Sequence, residues 1–369
     1  MSRLRRKLEI MCSSRDLPLA FTRQAYDVSV AKDGVVIQGG MEIERRRGLS
    51  YAQFEREYLL PRTPVIITDV LDECPARRKW TPDYFRERFG ERRLLTTSGE
   101  MTMREIVDGV LRPNGKRTPF LRESPIAWWL PELMADVAPS PCYAQPNWLS
   151  YPFARWPDVR RSGHASRLTR IGQIEINFTG ADVRFPTLHQ DLYCTHSLVM
   201  QWYGVKKFFI FPAEDTKYLY RKRGEWVSEI TDVERPDLEK FPEFAKAHMT
   251  EFILQPGETY FNPIGWWHTT RTLDVSIATA MSFANASNWK EVARNLLMPE
   301  APLRSRLASL PYRAYLRALG LWKLPHYAFP EITDPVWCHD SLEHYRRTAG
   351  RWAGASQGGV PQEATVSRY

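Results

Sequence analysis

The sequence predicts a mainly β protein with flanking helices (α+β), and three observations carry that expectation. The middle of the chain is a succession of short strand-like runs, RIGQIEINFTG, LVMQWYGVKKFFIFP, FILQPGETYFNPIGWWH and DVSIATAMSFA, separated by turn residues. Segments of helical period with capping signals come before them. Helical periodicity returns afterwards, in NWKEVARNLLM and RSRLASLPYRAYLRALGLW.

Taken in order, residues 1 to about 40 read as an irregular extension ending in the turn-like KDG and QGG. Ser50 caps a helix that carries Tyr51, Phe54 and Tyr58 and is stopped by Pro61 and Pro64. PVIITDV is a short buried strand, being β-branched and bounded by turn residues. KWTPDYFRERFG opens after Thr81 with Pro82 at its first helical position, and Gly90 closes it. MTMREIVDGVLR is a further helix. The stretch from about 111 to 165, rich in proline and tryptophan, suits loops and short helices laid over a core. The resulting division is an extension over 1–41, a main domain over 42–290, a helical segment over 291–347 and a small polar, disordered tail over 348–369.

With 369 residues, 43% hydrophobic and 12% aromatic, the chain can bury a large core. No apolar run reaches the roughly 20 residues of a membrane span, and the basic start lacks the apolar block of a secretory signal. Five scattered cysteines without a CxxC pair argue against a disulfide framework or a thiolate zinc site, and for a reducing, cytoplasmic setting. The net charge of +8 permits a nucleic-acid partner without favouring one, because much of the excess sits in RLRRK and ERRRG near the start.

The chemistry centres on PTLHQDLYCTHSL, Pro186 to Leu198. A strand alternates its faces, so His189 and Asp191, two apart, share one wall. Alone, such a pair is more often a hydrogen-bonded strand histidine than a ligand. PGETYFNPIGWWH supplies a second half: Gly257 and the Pro263-Ile264-Gly265 turn bracket a short strand and deliver His268 at the entry to the next. Two imidazoles and one carboxylate on one side of a metal leave three adjacent positions open, the pattern of non-haem iron(II) oxygenases.

These residues resemble the Jumonji-C branch of the cupin superfamily. The likeness runs from about residue 42 to about 290 and rests on PVIITD, KWTPDYFRERFG, the HQD pair, YGVKKFFIFP, PGETYFNPIGWWH and LDVSIATAMSFANASNW. The last two are similar to the Jumonji-C lysyl hydroxylases and their bacterial relatives. The resemblance implies a double-stranded β-helix (jelly-roll) core, Fe(II) held by His189, Asp191 and His268, 2-oxoglutarate as cosubstrate and O2 as oxidant. It also implies that Lys206 pairs with the distal carboxylate of 2-oxoglutarate, a dicarboxylate that needs a buried cation when it leaves water. Lys207 then points to the opposite face, although a continuous apolar run does not itself say which face is inside.

The chain departs from the family pattern in two places. Where a threonine precedes the first histidine by three residues and an asparagine follows the carboxylate, this chain has Pro186 and the run Thr195-His196-Ser197. Thr187, Thr195 and Thr279 therefore stand as candidates for a supporting hydroxyl on the cosubstrate, Thr279 because it lies on the strand leaving His268. His196, at odd spacing from Asp191, reads as a pocket residue rather than a ligand. Trp266 and Trp267 either wall the site or fill the core. Cys338-His339-Asp340 with His344 lacks a second thiolate and is not read as a metal site; His164, His248 and His326 read as surface residues. The expected activity is hydroxylation of an unactivated C–H bond on an amino-acid side chain within a peptide or protein. A free amino acid or small natural product is the alternative substrate, and a non-catalytic binding module the alternative class. Related enzymes commonly dimerise through helices after the barrel, so the resemblance implies a homodimer through the apolar stripes around Leu296, Leu297, Leu307, Leu310, Tyr315 and Leu316, while packing back on the chain's own barrel explains the same stripes.

Overall fold

A computed structural model describes residues 28–30, 36–96, 99–112, 121–138, 141–144, 147–150, 174–185 and 187–295, with isolated helical positions between 307 and 318. The start of the extension, most of the segment 291–347, the tail, Pro186, His164, His326 and the cluster around Cys338 lie outside the described residues. Among the described residues no helix is long and apolar enough to cross a membrane.

The elements run β1 (Val28–Val30), β2 (Val36–Gly39), β3 (Arg45–Arg46), α1 (Tyr51–Phe54), β4 (Val65–Ile67), α2 (Ala76–Lys79), α3 (Pro82–Phe89), β5 (Arg93–Thr96), β6 (Gly99–Thr102), α4 (Met103–Leu111), β7 (Leu121–Pro125) and α5 (Ile126–Trp129). They continue with β8 (Ile174–Thr179), β9 (His196–Tyr203), β10 (Lys206–Phe211), β11 (His248–Leu254), β12 (Thr259–Asn262), β13 (Trp267–Thr272), β14 (Ser276–Phe283) and α6 (Trp289–Arg294).

The helix starts follow local chemistry. Ser50 and Gln53 form a capping box at α1, and Thr102 and Glu105 form another at α4. Thr81 accepts from the Tyr84 N–H at the start of α3, with Pro82 in the first turn. After α1 the chain widens into a single π turn, Glu55–Leu59, before Pro61. Gly90 does close α3, but in right-handed conformation at φ −49°. Its need for glycine is steric: a Cβ there would lie 2.5 Å from the Arg86 carbonyl oxygen.

Two sheets form the jelly roll. One has seven strands in the order β3-β4-β12-β9-β14-β8-β7, the other five in the order β1-β2-β11-β10-β13. Consecutive strands often lie in different sheets, as β9 and β10 do. The inner faces meet over a shared cluster that includes Ile66, Phe208, Ile210, Phe252, Leu254 and Tyr260. The helices cover the outer face of the seven-stranded sheet through the largest core, in which Phe54, Trp80, Phe85 and Ile106 pack against Phe178, Trp202 and Phe261. The outer face of the five-stranded sheet is covered by the segment between β10 and β11, whose Leu219, Ile230 and Phe244 pack on Phe209, Phe211 and Trp267.

Candidate metal centre

His189 and His268 face each other across an antiparallel bridge. The His189 N–H donates to the His268 carbonyl at 3.0 Å and the His268 N–H returns a bond to His189 at 2.8 Å. That exchange of backbone bonds brings the ring centroids to 4.2 Å. Asp191, two residues along, lies outside any strand, at the N-cap position of the short turn Leu192–Cys194 but with no side-chain capping bond. One ligand atom from each of His189, Asp191 and His268 lies within 4.8 Å of the others.

The rest of each side chain is already held. His189 Nδ1 lies 3.1 Å from the Thr187 carbonyl oxygen, which fixes the proton there and leaves Nε2 as the lone-pair nitrogen. Phe185 stacks on the same ring at 4.7 Å. His268 turns Nε2 toward Asp191 Oδ1 at 3.8 Å, while Nδ1 faces the Trp266 carbonyl at 3.4 Å. Asp191 Oδ2 accepts from Ser197 Oγ at 2.8 Å and from Asn262 Nδ2 at 2.9 Å. Two imidazole nitrogens and one carboxylate oxygen are therefore aimed at one point by partners that occupy their other polar atoms. This donor set fits a divalent first-row metal of the iron type.

Lys206 lies on the same inner face. Its strand neighbours at even positions, Phe208 and Ile210, belong to the inner cluster, whereas Phe209 and Phe211 belong to the outer one. Lys206 is 6% exposed and has no ion-pair or hydrogen-bond partner among the described residues. Burial pushes its ammonium down to about 8. Lys207 takes the outer face and pairs with Glu251 at 2.8 Å. The Cα partner of Lys206 on β13 is Thr272, whose hydroxyl meets that of Thr179 at 3.0 Å.

The candidate hydroxyls separate. Thr187 is buried beside His189, to which its carbonyl is tied. Thr195 is buried and extended just ahead of β9, at alternating spacing from Ser197, with its hydroxyl donating to the Leu192 carbonyl at 3.1 Å. Thr279 does not face the cavity, and its candidacy is corrected. It is the register partner of Met200 on the helix-covered face, and its oxygen accepts from the Trp202 indole at 2.9 Å.

His196 also points away from the metal ligands, as its odd spacing predicts. It is fully buried between Phe261 and Phe283, and burial pushes it down to about 3. The neutral ring accepts from the Ile264 N–H at 3.2 Å and meets Ser287 Oγ at 3.0 Å, bracing the turn that leads to His268. Trp267 fills the outer core, its indole donating to Thr216 at 2.8 Å, and Trp266 packs in the inner cluster. His248 is half-buried and tied to the buried Asp215 at 3.1 Å, so it is not a free surface residue. Sequence reading missed Ser197 and Asn262 as site residues. A polar residue ending the otherwise buried TYFN strand was the available signal.

A jelly roll that brings together a histidine on β13, a histidine on an isolated bridge to it and an aspartate from the loop ahead of β9 defines the cupin class. The chain belongs to the cupin-like domain family, whose match covers residues 51–289 and bears out the resemblance read from the sequence. It is similar to "Lysine-specific demethylase 8" of Xenopus tropicalis, with 28% identity over 245 residues, 63% of this chain and 50% of that protein. It is also similar to "Lysine-specific demethylase JMJ30" of Arabidopsis thaliana, with 27% identity over 66% of this chain and 55% of that protein. Over a shorter stretch it matches "HSPB1-associated protein 1" of Rattus norvegicus, 37% identical across 28% of this chain and 22% of that protein. The matched region spans about half the length of the first two relatives.

Proposed function

We propose that the chain is an Fe(II)- and 2-oxoglutarate-dependent oxygenase that hydroxylates an amino-acid side chain within a peptide or protein. One observation carries the reading: a three-ligand cluster and an uncompensated buried lysine share the interior of one jelly roll. A buried ammonium with no counter-ion is costly, and a dicarboxylate cosubstrate supplies the missing charge. When bound, iron and 2-oxoglutarate supply the oxidising chemistry, in which 2-oxoglutarate and O2 become succinate and carbon dioxide while one oxygen atom enters the substrate C–H bond.

The protein's own residues bind and orient. His189, Asp191 and His268 hold the metal on one side, the Thr187 and Trp266 carbonyls keep the two rings in ligating orientation, and Lys206 fixes the far end of the cosubstrate. Thr195 and Thr187 remain near enough on the chain to contribute supporting contacts. Phe185 covers one face of the His189 ring. The oxygenase unit is assigned to 42–290, which contains the family match, and the segment beyond it to a homodimer contact, supported by Leu307 and Leu310 being 55% and 51% exposed.

The names of two of these relatives favour a second reading, removal of a methyl group from lysine. Hydroxylation of an N-methyl carbon gives a hemiaminal that sheds formaldehyde, so both readings share one oxidative step. Iron-loaded protein incubated with 2-oxoglutarate and pools of plain and methylated peptides distinguishes them by mass spectrometry. The expected product is a plain peptide heavier by one oxygen, with matching succinate release. Loss of a methyl with formaldehyde selects the second reading. Absence of succinate with every peptide and metabolite pool contradicts both.

A further inference from the structure

The carboxylate of Asp191 has two oxygens, and the surrounding protein treats them differently. Oδ2 accepts two hydrogen bonds, from Ser197 Oγ at 2.8 Å and Asn262 Nδ2 at 2.9 Å. Oδ1 is the oxygen turned toward His268 Nε2. The two donors are not incidental neighbours. Asn262 on β12 and Ser197 on β9 are register partners across the ladder, so both side chains rise from the same face at the same level.

The amide is locked in one orientation. An ionised carboxylate only accepts, so the nitrogen of Asn262 must face Asp191, and the amide oxygen is left to accept from the Tyr260 hydroxyl at 3.0 Å. Asn262 is 1% exposed and Tyr260 fully buried, so no water competes for either group. The amide nitrogen also lies 3.2 Å from His268 Nδ1, a packing contact rather than a hydrogen bond when that ring nitrogen gives its proton to the Trp266 carbonyl. A single side chain thus touches two of the three ligands, from a strand that precedes His268 by only one turn.

We propose that Asn262 and Ser197 are positioning residues that confine Asp191 to one-oxygen ligation and so keep three coordination positions open. The count decides why this matters. Three protein atoms on one side of a six-coordinate ion leave three places, two for a chelating 2-oxo acid and one for O2. A carboxylate free to swing would bind with both oxygens, as carboxylates readily do, and would take one of those three places. The inference rests on the oxygenase reading and adds to it a device specific to this chain.

The test uses the full chain loaded with Co(II), whose visible spectrum reports ligand number, and then titrated with 2-oxoglutarate. Ser197→Ala, Asn262→Ala and the double variant are expected to change the Co(II) spectrum before any cosubstrate is added. They are also expected to weaken 2-oxoglutarate binding to the loaded protein by about 10- to 100-fold, the usual scale for groups that orient metal ligands. Ser197→Thr, which keeps a hydroxyl, should restore the wild-type spectrum. Lys206→Met serves as the contrasting control, losing cosubstrate affinity while its Co(II) spectrum stays wild-type. Ser197 and Asn262 variants that match wild type in both spectrum and cosubstrate affinity overturn this inference alone. Wild-type protein that takes up no Co(II) overturns the oxygenase reading together with it.

Discussion

The two faces of the seven-stranded sheet are made from the same strands and have opposite characters. On β9, Leu198, Met200 and Trp202 join the helix-covered core, while Ser197 reaches Asp191 and Gln201 reaches Ser276. On β12, Phe261 faces the helices, and Tyr260 and Asn262 face the cavity. The outer face is apolar and aromatic, the inner one polar wherever it approaches the metal ligands. Alternation along a strand is therefore what separates stability from chemistry here, and a slip of one residue would exchange the two.

The largest expected effect on the outer face comes from Phe178→Ala. Its ring is fully buried and packs edge-on against Phe85 at 5.6 Å, so truncation should cost about 3–5 kcal/mol in chemical denaturation. If the two faces are separable, metal affinity of the folded fraction stays at the wild-type value. A parallel loss of metal affinity would mean that the faces are coupled.

Lys206→Met sharpens the comparison from the inner side, because function and stability should move in opposite directions. Burial lowers the folded-state value to about 8 from the ordinary 10.5, so the unfolded chain binds the proton more tightly. Wild type carries the full penalty below pH 8 and loses it as the pH rises from 8 to 10.5. The substitution should thus stabilise the protein by on the order of 3 kcal/mol at pH 7, an advantage that fades above pH 8. Cosubstrate binding should fall by about 100-fold or more with it. In wild type, 2-oxoglutarate affinity measured across pH should decline on the alkaline side as the lysine loses its charge. A Lys206→Met variant with unchanged affinity would remove the lysine from the site.

The smallest effect belongs to Thr279→Val. It deprives the Trp202 indole of its acceptor and should cost about 1–3 kcal/mol, with the Michaelis constant for 2-oxoglutarate unchanged. A raised Michaelis constant at wild-type stability would return Thr279 to the cavity and break the assignment of faces.

What could be read from the sequence was local. The helix starts at Ser50 and Thr81 are set by side chains within three residues of the backbone groups that they satisfy. The strands showed in their β-branched and aromatic runs, and the ligand triad showed in HQD together with the GWWH turn. What could not be read was orientation across the sheet. Residues 276–283 are buried on one side by Ile277, Met281 and Phe283 and small on the other, at Ala278, Ala280 and Ser282, so the pattern does not announce where Thr279 points. The two lysines of GVKKFF look alike until the covering elements are known. Ser197 and Asn262 are 65 positions apart and meet only through strand register, which no local signal encodes.

The central claim is that His189, Asp191 and His268 hold a single ferrous ion. Anaerobic calorimetric titration of the full chain with Fe(II) tests it most directly, with Asp191→Ala measured in parallel. We expect one ion per chain in the wild type and no measurable binding in the variant. Wild-type protein that binds none, or a variant that binds with undiminished affinity, would contradict the account.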